Sequence, residues 1–240
     1  MAFYLRDLRI VETLEELSLI PSGKIMINCI NANSYNIAQN NEVFAKALKN
    51  SDYLIPDGIS IVMACKWLKT PNMPKKRIVG WDLFELEMNK LTEKKKVMFV
   101  GSSEKVLAKI RKKAAVVYPN LEIITYSPPF KHKFTPEDSI PIVDAINSAQ
   151  PDLLWIGMTA PKQELWISEY WDQLTINCHV GCIGAVFDFF SGNIKRAPKW
   201  WQNHSLEWLY RLIVEPKRMW KRYLIGNPLF VYNIIKEWIK

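Results

Sequence analysis

The stretch KIMINCINANSYNI, Lys24 to Ile37, decides the fold class. Its front half is an apolar run containing Ile25, Ile27 and Ile30, the length of a buried strand. It turns polar at Asn31, Asn33 and Ser34, just before a helical stripe begins. Asparagine and serine cap helices because their short side chains accept hydrogen bonds from the first free backbone amides. Five more apolar runs bounded by turn residues follow, at Asp52 to Ile55, Lys96 to Gly101, Leu121 to Tyr126, Asp152 to Gly157 and Ile176 to Ile183. Between them, Asn36 to Lys49 gathers Ile37, Val43, Phe44, Ala47 and Leu48 on one broad face, and Lys105 to Val117 does the same with Val106, Leu107, Ile110, Ala114 and Val117. Thr135, Pro136 and Asp138 spell a helix start: a hydroxyl cap, a proline at the first position and an acid in the first turn. Strand–helix alternation of this kind predicts an α/β fold, a mostly parallel sheet with helices on both faces.

The chain has 240 residues, 49% of them hydrophobic, enough for one substantial core. Its net charge of +8 is uneven. Lys195 to Lys240 holds ten Lys/Arg against three Asp/Glu, whereas residues 1–194 are nearly neutral. The same tail holds Trp200, Trp201, Trp208, Trp220 and Trp238, half of all the tryptophans. Strand signals stop past Gly192, so the chain divides into a core, 1–194, and a basic aromatic helical appendage, 195–240; removal of residues from about Pro198 onward is expected to leave a folded α/β core. Within the appendage one helix is expected to end near Val214 and another to start with Pro216 in its first turn. Aromatic rings interleaved with Lys and Arg suit an anionic membrane interface; nucleic acid is the rival partner. The uncharged run from Tyr223 to Ile235 is 13 residues, too short to span a bilayer as a helix. Charges at Arg6, Asp7, Arg9, Glu12, Glu15 and Glu16 interrupt any secretory segment, which predicts a cytoplasmic protein peripheral to the inner face of the membrane. Cys29, Cys65, Cys178 and Cys182 lie in apolar runs and read as reduced thiols. Cys178, His179 and Cys182 have no second ligand pair at zinc-like spacing and read as packing residues.

Ligands of open parallel sheets bind beyond the carboxyl ends of the strands. Asn31, Asn33 and Ser34, then Pro56, Asp57 and Gly58, then Thr159 to Gln163 stand there. Singly each is ordinary cap or turn chemistry; together they can line one crevice. No G-x-G-x-x-G or P-loop follows a strand, which disfavours an ordinary nicotinamide, flavin or P-loop enzyme. No Asp-x-Asp occurs either, so a departing diphosphate has to be met by arginine, lysine, backbone amides or a helix N-terminus.

Seven runs, in order, resemble one family: Asn28 to Ser34, Ile55 to Gly58, Arg77 to Asp82, Ala160 to Glu164, Phe187 to Gly192, Arg196 to Trp200 and Glu207 to Arg211. The chain is similar along nearly its whole length to the WecG/TagA/CpsF glycosyltransferases. The resemblance implies a Rossmann-like core and an inverting transfer, without metal or cofactor, from a UDP-sugar to a sugar carried on undecaprenyl diphosphate. It implies Asp57 as general base and Cys29, Asn31, Arg77, Asp82, Lys162 and Gln163 as substrate-binding residues. Arg211, Arg218 and Lys221 or Arg222 are implied to reach the diphosphate. Cys29 departs from the family, which has threonine there, and a thiol is the weaker hydrogen-bond donor. An aspartate just before a helix is expected to have a lowered pKa, with burial opposing it; Asp82 and Asp188 are the next carboxylates in line. A nucleic-acid-binding protein and a non-catalytic membrane scaffold are the competing readings. The sugar, the linkage and the oligomeric state stay open, a homo-oligomer included.

Overall fold

The computed structural model describes residues 3–240. Six strands form one parallel sheet: β1 (Ile25–Ile30), β2 (Tyr53–Pro56), β3 (Lys96–Gly101), β4 (Glu122–Tyr126), β5 (Leu153–Gly157) and β6 (His179–Cys182). Their order is β2-β1-β6-β5-β3-β4. The central strands are apolar on both sides because both faces of the sheet are covered.

The helices are α1 (Leu14–Ser18), α2 (Ala32–Asn40), α3 (Glu42–Lys49), α4 (Ile59–Leu68), α5 (Gly80–Lys90), α6 (Glu104–Val117), α7 (Pro136–Ala149) and α8 (Lys162–Tyr170), then α9 (Gly184–Ser191) and four more in the tail. Helices α5, α6 and α9 cover one face, where Phe84, Leu107, Ile110 and Phe187 pack on Ile27, Phe99 and Trp155. Helices α7 and α8 cover the other, with Ile142, Ile146, Trp166 and Ile167 on Met98, Leu154 and Val180. The expected start of α7 is present in full: Thr135 caps it, Pro136 opens it and Asp138 completes a capping box. Asn36 to Lys49, expected as one helix, is two. Asn41 leaves the helical conformation at the end of α2, and its side chain accepts from Phe44 N at 3.0 Å, capping α3.

His179 is committed on both ring nitrogens, Nδ1 to Glu87 at 2.7 Å and Nε2 to the Pro21 carbonyl at 2.9 Å. It therefore has no nitrogen to offer a metal alongside Cys178 and Cys182, all of which pack in or beside the core.

The tail is helical, with α10 (Lys199–Asn203), α11 (Glu207–Val214), α12 (Pro216–Trp220), a π-helical turn (Lys221–Ile225) and α13 (Gly226–Ile239). The break between Val214 and Pro216 falls where the proline requires it. Residues 195–240 are nevertheless tied into the core. Phe230 and Ile234 of α13 are buried with Tyr35, Ala38, Leu54 and the N-terminal Phe3 and Leu5. Glu237 is only 2% exposed. Its carboxylate accepts from Leu5 N at 2.8 Å, Arg6 N at 3.1 Å and the Tyr35 hydroxyl at 2.6 Å. Cutting away the tail from about Pro198 would strip these partners and uncover an apolar groove beside Tyr35 and Leu54, packing that weighs against a core staying folded without it. No helix among the described residues is long and apolar enough to cross a membrane.

The buried Glu237 cluster yields a stability test. Glu237→Ala leaves two amides and a phenol without their acceptor and is expected to cost at least about 2 kcal/mol, whereas Tyr35→Phe removes one bond and costs about 1 kcal/mol. Urea unfolding of both variants checks the order; an alanine variant as stable as the parent would mean that water replaces the carboxylate at no cost.

Candidate active site

Strands β1 and β6 lie side by side, but the chain leaves β1 for α2 on one face and leaves β6 for α9 on the other. Such divergence opens a crevice at the carboxyl ends of the strands. Here it is a cavity of about 1700 Å³, bordered by the ends of β1, β2, β5 and β6, by the loop 127–134 after β4, and by the tail.

Asp57 sits at the end of β2, where its amide donates to the Ile30 carbonyl at 2.8 Å. Gly58 follows with φ of +137°, a conformation side-chain-bearing residues avoid, and α4 starts one residue later. The Asp57 side chain does not cap α4; it lines the cavity. Its pKa is raised, against the lowering expected at a helix start. Burial is the largest cause, and the Glu207 carboxylate adds to it; Arg222, Arg211 and Arg77 pull the other way.

Those arginines come from distant parts of the chain. Arg77 donates to Glu207 at 3.0 Å and to the Gln202 carbonyl at 2.8 Å. Arg196 lies 3.7 Å from the other Glu207 oxygen. Glu207 thus draws Arg77 of the core and Arg196 of the tail towards α11. Arg211 is partly stacked on Phe189, and its buried Nε has no hydrogen-bond partner among the described residues. Arg218 pairs with Glu215 at 2.9 Å. Arg211, Arg218 and Arg222 all line the cavity; Lys221 is not among the lining residues and its ammonium rests over the Trp220 ring.

The expected substrate-binding residues divide. Cys29 lines the cavity, its thiol donating to the Cys182 carbonyl at 3.5 Å, and burial pushes its pKa up, with the Asp57 and Glu164 carboxylates adding to the shift. Such a thiol stays protonated and is a poor nucleophile. The Asn31 side-chain oxygen caps α2 through Asn33 N and Ser34 N, both at 3.1 Å. Gln163 accepts from Met158 N at 3.2 Å and donates to Glu164 at 2.8 Å. Gly184 makes that fit possible, since a Cβ there would stand 2.3 Å from the Met158 carbonyl oxygen. Lys162 also lines the cavity, where its ammonium donates to the Lys131 carbonyl at 2.7 Å and rests over the Phe134 ring. Asp82 is not in the lining; it accepts from Val79 N at 3.0 Å and closes the first turn of α5.

Glu164 was not singled out from the sequence, although it stands beside Gln163. It lines the cavity, is 1% exposed, and its Oε2 has no partner among the described residues. Burial raises its pKa to about 7, against lowering by the Gln163 bond, its own amide and Arg222. Asp188 also borders the cavity. The signal for Glu164 was an acid immediately following the polar residues after β5, at the start of a helix whose other face is apolar.

A family model described as "Glycosyl transferase WecG/TagA/CpsF family" matches residues 2–240. An N-acetylglucosaminyldiphosphoundecaprenol N-acetyl-beta-D-mannosaminyltransferase of Bacillus spizizenii is 34% identical over 201 residues, covering 83% of this chain and 74% of the relative. A protein of the same name from Bacillus subtilis is 35% identical over 191 residues, covering 79% and 71%.

Glu164 gives a pH test. Between the ordinary 4.5 and about 7 the folded protein holds a proton that the unfolded chain has released, so raising the pH through this window costs stability. Glu164→Gln has no such proton to lose. Its melting temperature relative to the parent is expected to be higher at pH 8 than at pH 5, by thermal scans of the apo protein; an equal difference at both pH values contradicts the neutral buried acid.

Proposed function

Because the chain belongs to the WecG/TagA/CpsF family of glycosyl transferases, we propose that it moves a sugar from a UDP-activated donor to a saccharide carried on undecaprenyl diphosphate, with inversion at the anomeric carbon. Its class, a glycosyltransferase of surface-polysaccharide synthesis, follows from the family and from relatives 34% and 35% identical over the aligned residues. N-Acetylmannosamine is the donor sugar proposed, since the relatives are named for it. The acceptor proposed is the diphosphoundecaprenol-linked N-acetylglucosamine of those same names.

The observation that carries the mechanism is a carboxylate, Asp57, in the field of Arg77, Arg211 and Arg222 within one strand-end cavity. In the proposed step Asp57 takes the proton of the acceptor hydroxyl as its oxygen attacks the anomeric carbon. The bond from that carbon to the diphosphate oxygen breaks, and the guanidinium groups receive the departing charge. Partial burial serves this role, because a carboxylate with a raised pKa is a stronger base than one stabilised at a helix terminus. The unpartnered Nε of Arg211 suits it to the leaving diphosphate. Gln163 and Asn31 shape the floor through the backbone they hold, and Cys29 borders the sugar. With a thiol where the family has a hydroxyl, the sugar contact there is weaker.

The lipid-linked acceptor calls for a membrane surface, and the tail has the means. Trp220, Leu224, Ile225, Trp238 and Ile239 are exposed, with Lys217, Lys221 and Lys240 among them. We place the protein at the membrane periphery on the cytoplasmic side, where a UDP-sugar is available.

Two measurements test this reading. Asp57→Asn keeps the shape and loses the basic oxygen; kcat is expected to fall by roughly 10²- to 10⁴-fold while the affinity for the donor changes little. Near-parental kcat removes Asp57 as base and turns attention to Asp188. Transfer is also expected to persist in EDTA. No cluster of three or more His, Cys, Asp or Glu disposed to hold a metal occurs among the described residues, and Arg77, Arg211 and Arg222 are the cations proposed to meet the departing charge. Loss of activity on chelation, restored by a divalent ion, overturns that part.

A further inference from the structure

Phe130 is fully exposed, at 106% of its reference area. It stands in the loop 127–134, Ser-Pro-Pro-Phe-Lys-His-Lys-Phe, which leaves β4 and enters α7. The loop is held at several points. Ser127 donates to the Ser102 carbonyl at 2.9 Å, Lys131 pairs with Asp138 at 2.7 Å, and Lys162 donates to the Lys131 carbonyl at 2.7 Å. Phe134 packs against the core, and Pro128 and Pro129 restrict the backbone before the exposed ring. A large aromatic side chain has no folding reason to be presented to water on a fixed loop, since leaving it exposed forgoes about 2 kcal/mol of burial. Around it are Lys131, His132 and Lys133, all exposed, and no acid lies within the loop itself.

The place of the loop matters as much as its composition. It borders the same cavity as Trp208, Arg218, Arg222 and Tyr223 of the tail. It springs from β4, at one edge of the sheet, whereas Asp57 and its arginines gather at the end of β2, the other edge. Five strand spacings separate the two edges, about 24 Å.

We propose that the loop 127–134 is a second membrane contact, seating Phe130 at the headgroup–acyl boundary of an anionic bilayer so that the cavity mouth opens onto the lipid surface. The inference rests on the lipid-linked acceptor of the proposed function. An acceptor whose diphosphate lies at headgroup depth cannot enter a cavity turned away from the bilayer. A single basic tail would leave the protein free to tilt; contacts at both edges of the sheet fix the mouth downward. The apolar ring supplies depth, and Lys133 beside it favours an anionic surface.

The test uses the full-length chain with phosphatidylcholine vesicles containing phosphatidylglycerol. Phe130→Ser is expected to weaken partitioning by about fivefold, and Phe130→Trp to keep it, since either aromatic ring seats at the interface. Transfer to an acceptor on a short, water-soluble chain is expected to be unchanged in the serine variant, while transfer to a vesicle-borne acceptor falls. Undiminished partitioning of Phe130→Ser overturns the proposal. An equal loss of transfer on the soluble and the vesicle-borne acceptor also overturns it, by assigning Phe130 to a lid over substrate. A changed oligomeric state with undiminished partitioning overturns it in favour of a protein contact. Partitioning is measured without substrates, so a parental protein that transfers no sugar to the soluble acceptor defeats the proposed function while the loop remains separately tested.

Discussion

A parallel sheet sends every strand out at the same end, and the adjacent strands β1 and β6 then dispatch the chain to opposite faces. That divergence is the constraint on which the site depends. Cys29, Asn31, Asp57, Gln163, Glu164 and Gly184 all follow or end strands, so the sheet alone brings together residues that span much of the chain. The packing beneath is tight enough to leave no choice about where the opening lies. A Cβ on Gly157 would stand 2.5 Å from the Phe187 ring, and one on Gly181 would stand 2.2 Å from Trp155. Close packing below and divergence above leave the cavity only the strand ends.

The second half of the site is electrostatic, and it is assembled across the joint between core and tail. Glu207 holds Arg77 and stands near Arg196, so the positive charges that border the cavity are partly balanced while no substrate is bound. Arg211 and Arg222 act on Asp57 in the same sense as Arg77. Burial nevertheless dominates, which keeps the carboxylate basic where a full ion pair would have quenched it. Two acids, the half-buried Asp57 and the buried Glu164, share the cavity, and the thiol of Cys29 feels both.

The strands were legible because each is a short apolar run closed by turn residues, and α7 because Thr135, Pro136 and Asp138 each leave a local signature. The same local chemistry explains what was missed. Asn41 is both an end and a beginning, and an apolar stripe running through it hides the break. Asp82 has the spacing of a motif residue, but its carboxylate serves the amide of Val79 three residues earlier. Glu164 was hidden by its neighbour: nothing in the order Lys162, Gln163, Glu164 says which of the three is buried. The lowered pKa expected for Asp57 assumed the helix dipole would dominate, whereas its side chain turns from α4 into a partly desolvated cavity. Glu237 could not be found by any pattern, since its partners lie more than 200 positions away.

That last contact bears on how the molecule comes into being. Leu5 and Glu237 are 232 positions apart, and the N-terminal segment, α2 and α13 close on one another as a single apolar cluster. Contacts of such separation form late, because a long loop must be closed before they contribute. During synthesis the groove that receives α13 stays open until residues 226–239 have been made, a long exposure of apolar surface. Arg211 and Arg222 lie on the segments that lead into α13, so they join Asp57 from the same late part of the described chain. A chain cut before α11 has the strands, Asp57 and Arg77 but lacks Arg211 and Arg222, two of the three arginines whose charge acts on Asp57.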